Sequence, residues 1–234
     1  MRALCRFPRP TFVNQIFTSE ISVGDTTLSS LRSAFRSLFA PLRNHPSEIP
    51  RLRISDQFPN VLVTDQFGVE TGFRDRYLVG GKSLIFSPMY TTCRGACPGT
   101  AATLKRLRRE LAPVFGRQLV IVSFTVDPVA DRPPQLLQYA TGYDAEQRSP
   151  DLPDWDFLTG TAESMERIRR ALGFYDLNPR LDSDPTRHDA TLLFGNPQAD
   201  RWATLPAQLR VSLLLETIRR VAGSSFEQRY GISG

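Results

Sequence analysis

Apolar positions along this chain switch between two periods, about two and about 3.6 residues, and the switches outline its elements. From Phe58 onward, Val61–Gly68 (VLVTDQFG) reads as a strand turning at Gly68. Residues 73–81 connect it, through the Gly80-Gly81 turn, to Leu84-Ile85-Phe86, a short apolar run bounded by turn formers, as in a buried strand. Ala101, Leu104, Leu107, Leu111 and Val114 then recur on one helical face, with Lys105, Arg106, Arg108 and Arg109 mostly on the other. Gln118–Val126 (QLVIVSFTV) is almost all apolar and rich in β-branched residues, the pattern of a strand covered on both faces. Asp131 to Pro134 opens a helix over 135–143, Trp155–Gly160 is a short strand, and Thr161–Gly173 a helix with Met165, Ile168 and Leu172 inward and Gly173 as its stop. A polar stretch, 175–187, precedes His188-Asp189 and the strand Ala190–Phe194. Residues 196–200 form a hairpin turn and 201–204 its second strand, and Pro206 is expected to start a last helix carrying Leu209, Leu213, Ile218 and Val221. No internal repeat is visible.

Strand and helix therefore alternate, which predicts an α/β fold: a central mixed sheet with a parallel core, flanking helices, and a C-terminal hairpin plus helix. In such sheets sites form beyond the carboxyl ends of the strands. Residues 90–97 and Asp127 each follow a core strand, so they should share one rim. The domain is assigned to 51–223, with 224–234 a C-terminal tail.

Residues 1–50 read as an N-terminal extension. Within it, Leu28, Leu31, Phe35, Leu38 and Phe39 recur at helical spacing over 26–43, with Arg32, Arg36 and Arg43 between them. A basic amphipathic helix contacting a membrane surface, part of a targeting segment, and a helix packed on the domain all fit that pattern. Arg2, Arg6 and Arg9 lack the apolar core of a signal peptide behind them, and no apolar run of membrane-spanning length occurs. Of 29 basic side chains only Lys82 and Lys105 are lysine, and the arginines are scattered rather than striped among aromatics. The net charge of +5 thus points to no nucleic-acid surface.

The chemistry concentrates in Tyr90-Thr-Thr-Cys93-Arg-Gly-Ala-Cys97-Pro98. Pro98 lacks an N–H and has a helix-like φ, so the helix is expected to begin near Cys97, with Cys93 on the loop before it. The positive end of a helix favours thiolate, which is both nucleophile and metal ligand. Two readings stay open: a dithiol that cycles with its disulfide, and a soft-metal site. Three cysteines are too few for a disulfide framework, and Cys5 stands apart. His45, beside Pro46, reads as a linker residue. His188 is a candidate third ligand, or a loop histidine with no such role. A Cys/Cys/His set without a fourth strong donor suits copper, whereas structural zinc would need a fourth cysteine or histidine. Asp127 and Asp131 are either polar groups serving the cysteine loop or partner, or an Asp-Pro turn and a helix N-cap.

Over about residues 58–222 the chain resembles the Sco/SenC copper proteins. The likeness lies in Tyr90-Thr-Thr-Cys93-Arg-Gly-Ala-Cys97-Pro98, Ser123-Phe-Thr-Val-Asp127-Pro-Val-Ala-Asp131, Phe157-Leu-Thr-Gly160 and His188-Asp-Ala-Thr-Leu-Leu-Phe194. Arg94 stands where many members have proline, and Arg187 where many have aspartate. The resemblance implies a thioredoxin-like fold binding one copper ion through Cys93, Cys97 and His188. It also implies a partner, the copper-centre subunit of cytochrome c oxidase or another copper carrier. By resemblance, the location is the periplasmic face of a bacterial inner membrane or its mitochondrial equivalent; the protein is expected to be a monomer. A thiol–disulfide oxidoreductase using Cys93 and Cys97, and a copper or redox sensor, are the alternatives.

Overall fold

The computed structural model describes residues 52–182 and 190–232. Seven strands form one sheet: β1 (Leu62–Asp65), β2 (Glu70–Gly72), β3 (Ser83–Met89), β4 (Leu119–Thr125), β5 (Asp154–Thr159), β6 (Thr191–Asn196) and β7 (Arg201–Pro206), in the order β2-β1-β5-β4-β3-β6-β7. β3, β4 and β5 are parallel, with Met89 opposite Thr125, while β1, β2, β6 and β7 join antiparallel at the flanks. The helices are α1 (Phe73–Tyr77), α2 (Ala96–Phe115), α3 (Pro133–Thr141), α4 (Ala162–Ala171), α5 (Pro179–Asp182), α6 (Val211–Ala222) and α7 (Phe226–Tyr230).

β3 and β4 are buried along their whole length, because both faces of the sheet are covered. Side chains alternate between two cores, as a pleated strand requires. Ile85, Leu119 and Ile121 point into one core with Leu104, Leu107 and Leu111 of α2 and Leu214 and Ile218 of α6. Leu84, Phe86, Val120 and Val122 point into the other, with Phe73 and Tyr77 of α1 and Met165 and Ile168 of α4. Pro88 is tolerated inside a central strand because β6 pairs β3 only as far as Phe86.

Several boundaries differ from the periodicity. Pro206 ends β7 opposite Thr191 instead of opening a helix: the Ala207 N–H bonds the Ala190 carbonyl, extending the pairing, and α6 starts at Val211. A helix, α1, occupies part of the connection expected over 73–81, and the tail contains α7. Arg108, on the expected polar face of α2, is buried, and its guanidinium donates to the carbonyls of Pro153, Asp144 and Gln147. Arginine satisfies an inward-turned loop there, something periodicity alone does not register. The helix expected over 26–43, with Cys5 and His45, lies outside the described residues.

Candidate metal centre

β3 delivers the chain to Met89, and residues 90–95 cross from the strand to α2. The Cys93 N–H bonds the Tyr90 carbonyl at 3.2 Å, and the Val126 N–H, just past β4, bonds the Met89 carbonyl at 2.9 Å. The loop therefore sits on the carboxyl rim of the parallel core, as the element order implies. α2 begins at Ala96, which places Cys97 and Pro98 in its first turn. Its N-cap, Gly95, offers no side chain to the free N–H groups of that turn. The Cys93 sulfur takes this capping role.

Cys93 and Cys97 are free thiols, both half-buried, and their surroundings divide them. Burial alone would raise the Cys93 pKa. Hydrogen bonds from the Cys97 thiol, the Cys97 and Gly95 N–H groups and the Tyr90 hydroxyl outweigh it, and the pKa falls below the ordinary cysteine value. Cys97 is pushed up to about 12, by burial and by its hydrogen bond with Cys93. It faces a small cavity floored by Met89, Tyr139 and Phe157. The surroundings thus favour the thiolate at Cys93 more than at a free cysteine, and hold Cys97 as a thiol that donates to it. Arg94, between them, is exposed.

A buried carboxylate fixes the loop from below. Asp131 is fully buried and accepts bonds from the Thr91 N–H at 3.1–3.2 Å, from the Thr91 hydroxyl, and from the Thr125 hydroxyl at 2.5 Å. Thr91 is two residues before Cys93 and Thr125 ends β4, so Asp131 ties the loop to the neighbouring strand. Asp131 is therefore not the N-cap of α3; that position is Arg132, without a side-chain cap bond. Asp127 accepts a bond from the Ala130 N–H at 3.2 Å, the Asp-Pro turn of the alternative reading. The sequence signal was present as threonine at a strand end and threonine before a cysteine, but only the fold shows that both reach one aspartate.

Beside the loop lies an open recess of about 550 Å³, lined by Pro88, Ala96, Phe174, Tyr175 and Ala190 among others. Its far wall is pinned by Arg169 of α4. The Arg169 guanidinium pairs with Asp182 of α5 at 2.6 Å and with Glu166 at 2.7 Å, and donates to the Phe174 carbonyl. His188 lies outside the described residues, as do Arg187 and Asp189. Among the described residues no three His, Cys, Asp or Glu side chains gather as a metal site. The donors present near the loop's surface are two thiols. Soft thiolate donors without carboxylates fit a soft ion such as copper(I), and fit magnesium or calcium poorly.

A family model described as SCO1/SenC matches residues 62–223. A Stutzerimonas stutzeri protein named for copper binding is 30% identical over 176 residues, covering 74% of this chain and 77% of that protein. Among solved structures, Arabidopsis thaliana ScoI with copper bound is similar with a TM-score of 0.50 at 19% identity, covering 67% of this chain and 92% of that one. BsSco, described as a Sco-family cytochrome c oxidase assembly protein with a disulfide switch, gives a TM-score of 0.54 at 20% identity, covering 72% and 95%. At these identities the two structural likenesses show the thioredoxin-like Sco fold.

Proposed function

The chain belongs to the SCO1/SenC family, and from that premise we propose that it is a copper carrier that binds one copper ion through Cys93, Cys97 and His188. It serves assembly of the binuclear copper centre of cytochrome c oxidase, at a membrane surface. The observation that carries this reading is the unequal pair of thiols on one rim loop: a thiolate-favouring Cys93 and a Cys97 hydrogen-bonded to it. Soft sulfur donors select copper(I), and the bound ion takes the place of the Cys97 proton, since metal ligation requires the thiolate. His188 enters by chain reach. Ala190 and Ala96 line the same recess, and two residues of backbone span at most about 7 Å. That closeness in sequence to a recess-lining residue supports His188 as the third ligand.

Titration of the reduced protein tests the carrier. One equivalent of copper(II) should bind with intense thiolate-to-copper absorption, lost in Cys93→Ser and Cys97→Ser and weakened or shifted in His188→Ala. No copper uptake in either oxidation state ends the carrier reading. Unchanged binding and absorption in His188→Ala removes the histidine alone.

The same asymmetry favours a second reading, thiol–disulfide exchange. The Cys93 thiolate attacks a substrate disulfide, forming one S–S bond while the leaving sulfur departs as a thiolate. Cys97 then loses its proton and attacks Cys93, releasing the second substrate thiol. Two electrons pass from the pair to the substrate, and the Cys93–Cys97 disulfide remains. A pair that cannot be oxidised to that disulfide excludes this reading.

A further inference from the structure

The end of the sheet away from the cysteine loop is also differentiated. β3 runs from Ser83 to Met89, about 20 Å at the usual rise of a strand, so its start and the cysteine loop lie at opposite ends. A hydrogen-bonded network gathers several segments at the start. Ser83 Oγ and Asn196 Nδ2 both bond the Ala222 carbonyl, Arg201 bonds the Gly223 carbonyl, and Asp200 accepts from the N–H groups of Ile54 and Ser55. The chain's entry at Leu52, the β6–β7 turn and α7 therefore share this end.

Its surface is apolar and basic together. Phe226 and Tyr230 of α7 lie with ring centroids 4.5 Å apart, yet are 57% and 64% exposed, and Ile232 beside them is 50% exposed. Across the hairpin turn, Leu52 is 77% exposed. Exposed aromatics tilted against each other rather than against a core are unusual for solvent-facing surface. Among the described residues no carboxylate pairs with Arg53, Arg201 or Arg229, which donate to backbone carbonyls. Lys82 adds a further positive charge, against the exposed Glu227. Apolar and aromatic tips with arginine and lysine around them match the boundary between lipid headgroups and acyl chains.

We propose that this end of the domain rests on an anionic lipid surface through Phe226, Tyr230 and Ile232, with Lys82 and Arg229 against the headgroups, and holds the cysteine loop on the side away from the bilayer. Anionic headgroups supply the counter-charge that the bonded carbonyls do not.

The full chain should cosediment with vesicles of equimolar phosphatidylglycerol and phosphatidylcholine, and far less with phosphatidylcholine alone. Lys82→Gln combined with Arg229→Gln should weaken binding by about thirtyfold, since each surface cation near anionic lipid contributes about a factor of five. In Phe226→Trp, indole fluorescence should shift to the blue and be quenched by brominated acyl chains. Val129→Trp, on the exposed loop after β4 at the other end, should stay unquenched. Absence of cosedimentation overturns the proposal. So does a bound Phe226→Trp chain that is not quenched, the outcome if residues 1–51 alone hold the bilayer, and so does equal quenching at both positions. Cys93→Ser should leave vesicle binding unchanged, so failure of the copper reading and failure of this surface are told apart.

Discussion

Asp131, beneath the cysteine loop, and Asp156, in β5, are buried to nearly the same degree and held in opposite ways. Asp156 sits among cations: Arg148 at 2.6 Å and Arg76 at 3.1 Å, with the Tyr77 hydroxyl at 2.8 Å. Burial and the Asp156 carboxylate together keep that tyrosine hydroxyl protonated well beyond its ordinary range. Asp131 has only neutral donors, one backbone N–H and two hydroxyls, and among the described residues no cation lies within ion-pair distance. The first arrangement locks strands and a loop together through charge and is indifferent to the rim. The second locks nothing except the loop that carries Cys93. Stability is concentrated at one carboxylate and site geometry at the other.

Substitution can separate the two. Asp156→Ala leaves Arg76 and Arg148 facing each other without their shared partner. It should cost about 3 kcal/mol or more in denaturant unfolding, while the folded protein takes up copper as before. A loss of copper uptake at unchanged stability would invert the comparison. Asp131→Asn keeps the shape and changes one acceptor to a donor, so it should cost a smaller amount, about 1–3 kcal/mol. Its larger signature should be at the rim, where Cys93 alkylation slows and copper binding weakens together, neither of which Asp156→Ala changes. If Asp131→Asn only destabilises, the loop does not depend on that carboxylate.

The pH profile sharpens the site half of the contrast. The Cys93 pKa is lowered, so folding favours its thiolate: that stabilisation is present above the ordinary cysteine value and is lost as pH falls through the folded value. The Cys97 pKa is raised to about 12, so folding favours its thiol. Its contribution is present below the ordinary value and is lost as pH rises toward about 12. Single-hit alkylation followed by peptide mapping should label Cys93 near neutral pH and leave Cys97 unmodified, and equal labelling would remove the asymmetry. The smallest effect is expected at Asp127→Asn, within about 0.5 kcal/mol and without change at the rim, because its contact closes a surface turn.

Much of this molecule could be read from patterning. The apolar run at 84–86 and the nearly all-apolar 118–126 marked buried strands, and their order placed the cysteine loop and Asp127 on one rim. Thr161, Gly173 and Pro98 announced helix ends through local backbone chemistry, and Gly173 takes the positive φ its stop role needs. Where local preference met longer-range pairing it failed. Pro206 looked like a helix start, but Thr191 recruits it into the sheet.

Local forces are written in neighbouring residues: strand period, helix caps, and the strand–loop–helix junction that makes Cys93 a capping acceptor. Three features required the folded chain, because each depends on groups far apart in sequence meeting in space. Asp131 is recognisable as the loop's anchor only once Thr91 and Thr125 converge on it. Arg108 is a buried donor only because three carbonyls turn inward over it. The Cys97 thiol is pushed up in part because Tyr139 and Phe157, from other elements, help to bury it.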